Sequence, residues 1–187
     1  ENLGEYDLAL KYYDEAIAKD QYYSDSLYGK ANVMVSLDKP ENALKYVEDA
    51  IVIDEINPDY YYLLGNILTQ LDRETEALVA YKKAYGLDPD ELDYILSLTE
   101  SYVNQSRVND AIELLTDALK DLSDNAILYY QLSACYFLVD ETKKALKTFE
   151  SGLKINPRKY MEIVLFYPNA LENKAINKLL DEYYFNK

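Results

Sequence analysis

The sequence predicts an all-α solenoid in which antiparallel helix hairpins repeat with a 34-residue period. Two series of small residues recur at this interval, and the apolar residues around them have the spacing of amphipathic helices. Turn signals that contain proline separate the helical segments. The first series is Ala9, Ala43, Ala77, Ala111 and Ala145, and the second is Ala16, Ala50, Ala84, Ala118 and Gly152.

The second helix of each period carries one residue of each series. These two residues are seven positions apart, so they lie on one face of the helix and allow a neighbouring backbone to approach closely. A larger apolar residue stands between them in register, as Tyr81 does between Ala77 and Ala84. We expect this larger residue to fill the space between successive hairpins.

A first helix precedes each of these second helices. Apolar residues at helical spacing predict first helices at residues 24–37, 58–71, 92–105 and 126–139. Because proline favours the start of a helix, the turns between periods are predicted at Asn57-Pro58, Asp88-Pro89 and Asn156-Pro157. The turn between the two helices of one period is marked by Lys39-Pro40.

We expect these hairpins to form one domain. It comprises a partial repeat at 1–23, full repeats at 24–57, 58–91, 92–125 and 126–159, and atypical capping helices at 160–187. The partial repeat holds only a second helix, which leaves an apolar face uncovered. We therefore expect the chain to be a fragment of a longer protein, or to form a homodimer through this end.

The last segment departs from the alanine pattern. We expect a short helix up to Tyr167 and a break at Pro168. A second helix follows, from about Leu171 to Phe185. Terminal repeats commonly cap a solenoid, which is the interpretation that we favour here. The alternative is a partner-binding tail that uses Tyr183, Tyr184 and Phe185.

The charge is unevenly distributed along the chain. The net charge is −15, with 28 acidic and 10 basic residues in 1–140 but 6 acidic and 9 basic residues in 141–187. Nucleic-acid binding requires a basic surface, so we do not expect it. No apolar run approaches the roughly 20 residues of a membrane-spanning helix, so we expect no membrane insertion. We expect a cytoplasmic protein, and we leave a periplasmic or secreted location open because the chain does not begin with methionine.

The residues that enzymes commonly use are absent or isolated. The chain has no histidine, and its one cysteine, Cys135, therefore has no imidazole partner. We expect Cys135 to be a buried structural thiol. The glycines form no phosphate-binding loop, and adjacent carboxylates such as Glu48-Asp49 do not converge on a helix. We thus expect no catalytic residues, no cofactor and no metal.

The repeat resembles the tetratricopeptide repeat family. Residues 58–91 fit the family pattern best, with Tyr61, Gly65, Leu68, Ala77, Tyr81, Ala84 and Pro89 at its characteristic positions. The other full repeats keep the small residues, although Glu55 and Ser123 replace the usual proline. The resemblance implies a right-handed superhelix whose first helices line a concave groove. It also implies a non-catalytic scaffold that binds other proteins.

The resemblance also implies which side chains face this groove. They are Asp25, Tyr28, Asn32, Asp59, Tyr62, Asn66, Thr69, Asp93, Tyr130 and Phe137. Tyrosine offers apolar area and a hydroxyl, and asparagine can both donate to and accept from a peptide backbone. The aspartates face no cation, so we expect a protein or peptide partner that is neutral to basic and carries apolar anchors. For the same reason, we argue against a clamp for the C-terminal carboxylate of heat-shock chaperones.

Each set of groove residues has a second explanation. Aspartate in the first turn of a helix is favoured by capping and by the helix dipole. The tyrosines are also compatible with packing between first helices, and the asparagines with simple solvation. At the level of function, the alternatives are a self-assembly module and an accessory domain of a larger enzyme.

The alanine series leads to a test of the predicted helix contacts. Ala77→Leu places a larger side chain where two helices are expected to touch. We expect the free energy of unfolding to fall by about 1–3 kcal/mol through overpacking, measured by urea denaturation. Unchanged stability would mean that Ala77 does not lie at a helix contact.

Overall fold

The computed structural model describes residues 3–185, and these residues form ten α-helices, two 3-10 helices and no strand. The all-α prediction is therefore confirmed. In chain order the elements are α1 (Leu3–Lys19), α2 (Ser24–Ser36), α3 (Pro40–Ile53), α4 (Pro58–Gln70), α5 (Glu74–Leu87), α6 (Leu92–Asn104), α7 (Val108–Asp121), α8 (Ala126–Leu138), α9 (Thr142–Ile155), the 3-10 helices η1 (Pro157–Leu165) and η2 (Pro168–Glu172), and α10 (Lys174–Phe185).

The chain divides into two compact units, 1–89 and 90–187. In the first unit, α2 packs on α3 and α4 packs on α5, and α3 joins the two hairpins by contacting α4. Its core contains Leu27, Val47, Leu63 and Ile67 together with alanines. The small residues Ala43, Ala50, Ala77 and Ala84 have no exposed surface. This burial agrees with their predicted role at helix contacts.

The second unit uses small residues in the same way. Its α8 packs on α9, and both helices contact η1. The Ser133 hydroxyl of α8 donates a hydrogen bond of 2.8 Å to the carbonyl oxygen of Ala145 in α9. Ala145 is completely buried. A backbone carbonyl is reachable at this point because the methyl side chain of alanine lets the two helices come close.

The turns inside the hairpins repeat with the predicted period. The residues Asp38, Asp72, Ser106 and Asp140, each 34 positions from the next, have φ between 57° and 60°. In the second hairpin, Arg73 N donates to Leu68 O at 2.8 Å, which is the wide backbone bond of a Schellman turn. The left-handed conformation usually selects glycine, and aspartate is one of the few other residues that tolerate it.

Asparagine side chains start several helices. Asn57 Oδ1 accepts a hydrogen bond from Asp59 N at 3.1 Å, and Asn156 Oδ1 accepts one from Arg158 N at 3.1 Å. These caps satisfy backbone donors that a helix leaves unpaired in its first turn. Two of the three predicted Asx-Pro turns therefore lead directly into helices. The third does not, because α6 begins at Leu92, after the N-cap residue Glu91.

The C-terminal segment differs in detail from the prediction. A 3-10 helix, η1, begins at Pro157 rather than at 160, and the predicted break at Pro168 separates it from η2. The last helix begins at Lys174 rather than at about Leu171. The reason is the side chain of Asn173, whose Oδ1 accepts from Ala175 N at 2.9 Å and so caps α10 at that point.

The left-handed turns lead to a stability prediction. Asp72→Gly relieves a backbone conformation that costs energy for residues with a Cβ atom. We expect the free energy of unfolding to rise by about 0.5–1 kcal/mol in urea denaturation.

The matched control is Asp88→Gly, which removes the same charge at a position where φ is −141°. There glycine removes a side chain and adds conformational freedom to the unfolded chain without relieving backbone strain, so we expect lower stability. Equal effects of the two variants would contradict the argument from backbone conformation.

Candidate partner-binding surface of the first unit

The first unit carries seven of the predicted groove residues on α2 and α4. Tyr28, Asn32, Tyr62 and Asn66 are half-buried, whereas Asp25, Asp59 and Thr69 are exposed. The two helices contact each other directly. We call this set of residues the α2–α4 face: Asp25, Tyr28, Asn32, Asp59, Tyr62, Asn66 and Thr69.

Asp25 belongs to a contact between the two helices. The hydroxyl of Tyr60 donates to Asp25 Oδ1 at 3.0 Å, and the rings of Tyr28 and Tyr60 lie 5.2 Å apart at an angle of 36°. Burial raises the pKa of Tyr60, and the Asp25 carboxylate raises it further. Asp25 lies in the first turn of α2, where the helix dipole favours a negative charge, and its bond to Tyr60 also joins α2 to α4.

Asn66 is held by a tyrosine that reaches it from α5. The hydroxyl of Tyr81 donates to Asn66 Oδ1 at 2.9 Å, and the same hydroxyl lies 3.2 Å from Thr69 Oγ1. The Tyr81 ring can pass α4 because Gly65 has no side chain. A Cβ atom at Gly65 would lie 2.4 Å from the ring. This glycine is therefore required for the contact that orients Asn66.

The side-chain amide of Asn32 is oriented oppositely to that of Asn66. Its Nδ2 atom donates to the carbonyl oxygen of Tyr28 in its own helix at 3.2 Å, which leaves Oδ1 as an acceptor. Asn66 uses its Oδ1 atom and leaves Nδ2 as a donor. Within residues 3–185, no hydrogen bond is formed by Asn32 Oδ1 or Asn66 Nδ2. Two neighbouring helices thus present one acceptor and one donor.

The cation nearest to these residues in sequence, Lys30, is turned into the first unit. Its side chain is buried, forms an ion pair with Asp14, and lies 4.3 Å from the centre of the Tyr46 ring. Burial opposes the charged form of Lys30, but the contacts with Asp14 and Tyr46 outweigh this effect and raise its pKa. Lys30 therefore does not neutralise the aspartates of the α2–α4 face.

The second unit places the remaining predicted residues differently. Tyr130 is completely buried, and its hydroxyl donates to the carbonyl oxygen of Asn156 at 2.9 Å. Phe137 is 8% exposed, because the ring of Tyr167 stacks on it at 4.8 Å. Only Asp93, in the first turn of α6, is exposed. Tyr130 and Phe137 are packing residues of this structure, and we leave them out of the binding surface.

A signal for the burial of Tyr130 was present in the sequence. Gly152 replaces the alanine that the series contains at this position in every other period. A Cβ atom on Gly152 would lie 2.8 Å from the Tyr130 ring, so the glycine provides the space into which the ring sinks. A break in a series of small residues can therefore identify a large side chain packed against it.

Residues 3–185 offer few groups for a reactive thiol, a metal site or a membrane span. Cys135 is buried, and burial raises the pKa of its thiol to about 12. Residues 3–185 contain no group of three or more histidine, cysteine or acidic residues placed to hold a metal ion. Over the same range, no helix combines the length and the apolar character that a membrane span requires.

Comparison with known sequences identifies the repeat. One tetratricopeptide repeat model matches residues 58–91, and a second matches residues 1–58. The chain belongs to the tetratricopeptide repeat family. A search of curated proteins gives no significant match. Tetratricopeptide repeats are interaction modules that generally lack catalytic activity, so the family makes this chain a protein–protein interaction scaffold.

Solved structures of the same fold extend over most of the chain. MamA is 20% identical with a TM-score of 0.75, and the match covers 83% of this chain and 91% of MamA. YrrB, described as a TPR protein with an unusual peptide-binding site, is 19% identical with a TM-score of 0.69, covering 91% and 90%. The C-terminal part of a TPR repeat-containing protein from Cytophaga hutchinsonii is 18% identical with a TM-score of 0.75, covering 96% and 74%. At these identities the likeness shows the fold alone.

The packing of Tyr81 on Gly65 leads to a prediction. Gly65→Ala forces the buried ring to move and weakens its bond to Asn66, so we expect a loss of about 1–3 kcal/mol in the free energy of unfolding. Urea denaturation measures this loss.

Gly86→Ala provides the matched control on the neighbouring helix. A Cβ atom there meets no atom within 4 Å. Alanine is the better helix former by about 1 kcal/mol, so this variant should be as stable as the parent or more stable. A destabilised Gly86→Ala together with a neutral Gly65→Ala would refute the proposed packing.

Proposed function

We propose that the first unit binds an extended or helical segment of a partner protein along the α2–α4 face. The segment is neutral to basic and carries apolar anchors. Binding is non-catalytic and requires no cofactor. The observation that supports this proposal best is the opposite orientation of the two asparagine amides, Asn32 and Asn66.

A peptide backbone needs both kinds of hydrogen-bonding partner. An amide N–H of the bound segment would donate to Asn32 Oδ1, and a carbonyl oxygen would accept from Asn66 Nδ2. The hydrogen bonds that fix the two side chains are already formed, at 3.2 Å for Asn32 and 2.9 Å for Asn66. Because these side chains need not be ordered on binding, less conformational entropy is lost.

The tyrosines supply the apolar contact. Tyr28 and Tyr62 are half-buried, and each packs its ring on another tyrosine, Tyr60 at 5.2 Å and Tyr81 at 6.1 Å. A ring held in this way offers apolar area with little freedom to lose. Aromatic residues of this kind commonly provide most of the binding energy at protein interfaces.

The charge of the α2–α4 face indicates which class of partner it binds. The α2–α4 face includes two aspartates, Asp25 and Asp59, and no lysine or arginine. A carboxylate ligand would be repelled, and a lysine or arginine of the partner would be attracted. The published description of YrrB as a peptide-binding protein of similar fold supports a peptide ligand here.

The proposal is tested with peptides selected against the chain from a displayed library. For the tightest peptide, we expect Tyr62→Ala to weaken binding by more than about 1 kcal/mol in isothermal titration calorimetry. Asp59→Asn should weaken binding less, and it should reduce the dependence of the affinity on salt.

Lys82→Glu, an exposed change on α5, is the control and should leave the affinity nearly unchanged. Selected peptides that are acidic would contradict the predicted partner class. If Tyr62→Ala and Asp59→Asn bind like the parent while Lys82→Glu abolishes binding, the α2–α4 face is not the working surface.

A further inference from the structure

Two successive turns of the first unit expose large apolar side chains. Asp20 Oδ1 accepts from Tyr22 N at 2.9 Å, and 34 residues later Asp54 Oδ1 accepts from Ile56 N at 3.2 Å. These equivalent turns leave Tyr22 70% exposed and Ile56 72% exposed. Val52, near the end of α3, is 84% exposed. Three large side chains of the first unit are thus mostly exposed to solvent.

A pocket opens beside these residues. It has a volume of about 440 Å³ and lies between α1 and α3, over Leu27 of α2. Tyr22 and Val52 belong to its lining, which also includes Lys45 and Asp49. The residues of the α2–α4 face do not contribute to it. We give the name acidic edge to the exposed pocket residues Tyr22, Asp49 and Val52 together with the turn residues Asp20, Asp54, Glu55 and Ile56.

The second unit exposes a surface of opposite charge. In η1 the residues Arg158, Lys159, Met161 and Leu165 are exposed, and we call them the basic strip. Met161 is 48% exposed and Leu165 is 62% exposed. Within residues 3–185, neither Arg158 nor Lys159 forms an ion pair. The strip therefore combines unpaired cations with uncovered apolar side chains.

We propose that the acidic edge of one copy binds the basic strip of a second copy, so that the chain self-associates head to tail. The unbranched side chain of Met161 suits a pocket such as the one between α1 and α3, whose lining includes the apolar residues Ile17, Leu27 and Ile53. Arg158 and Lys159 then lie near the carboxylates of the acidic edge, of which Asp49 lines the pocket together with Lys45. Association removes apolar area of both surfaces from water and brings their opposite charges together.

The two surfaces are different, which determines the kind of assembly. A single contact between unlike surfaces leaves one free edge and one free strip on the pair, so that further copies can add until a ring closes or a filament forms. A symmetric dimer through α1, by contrast, would stop at two copies. Self-association between the acidic edge and the basic strip should therefore increase with protein concentration and decrease at high salt.

The test measures the mass of the full chain by analytical ultracentrifugation over a range of concentrations. We expect the parent to exceed its monomer mass of 21.7 kDa as concentration rises, and less so at high salt. Val52→Gln removes apolar area from the acidic edge without adding a charge, and Met161→Glu places a negative charge in the basic strip. Each variant alone should remain monomeric, with the circular dichroism spectrum of the parent.

A mixture of the two variants gives the decisive result. Val52→Gln retains an intact strip and Met161→Glu retains an intact edge, so one of each should form a dimer of twice the monomer mass and nothing larger. Val79→Gln changes another exposed valine, 65% exposed on α5 and outside both surfaces, and should associate like the parent.

Three outcomes would overturn the proposal. These are a parent that stays monomeric at every concentration, variants that each dimerise alone, and a mixture that remains monomeric. Tyr62→Ala should leave self-association unchanged, so this result is independent of the function proposed for the α2–α4 face.

Discussion

The structure depends on the space that small residues leave where helices meet. The buried alanines of the 34-residue series let backbones come close, and glycine goes further by admitting a tyrosine ring. Three such contacts occur in the described chain: Tyr13 on Gly29, Tyr81 on Gly65 and Tyr130 on Gly152. Each ring fills the volume that the missing side chain provides, which keeps the interior densely packed.

The same contacts decide which polar groups are presented to a partner. Tyr81 reaches Asn66 only because it crosses Gly65, and its hydroxyl then fixes the direction of the amide. Tyr130 sinks against Gly152 and contributes nothing to the surface. Gly65 lies on the first helix of its hairpin, whereas Gly152 lies on the second helix of its hairpin. The helix that carries the glycine therefore decides whether the tyrosine orients a surface side chain or is itself buried.

The sequence was sufficient for the fold because the period and the helical spacing are properties of the chain itself. It was less informative about the site. Whether Phe137 is exposed depends on Tyr167, thirty residues away in a segment that follows no repeat pattern. The orientations of Asn32 and Asn66 likewise depend on hydrogen bonds that spacing does not reveal. The left-handed turns at Asp72 and its equivalents carry no glycine, so the usual signal for them was missing.

The first unit makes its helix contacts almost entirely between elements that are neighbours along the chain. Such local contacts require little chain entropy to be lost before they form, which favours rapid folding. Because each hairpin is closed by its own turn, any one of them can serve as a nucleus from which structure spreads to the adjacent hairpin. During synthesis, an emerging hairpin can therefore pack on the hairpin made just before it, because its main contacts are with its neighbour along the chain.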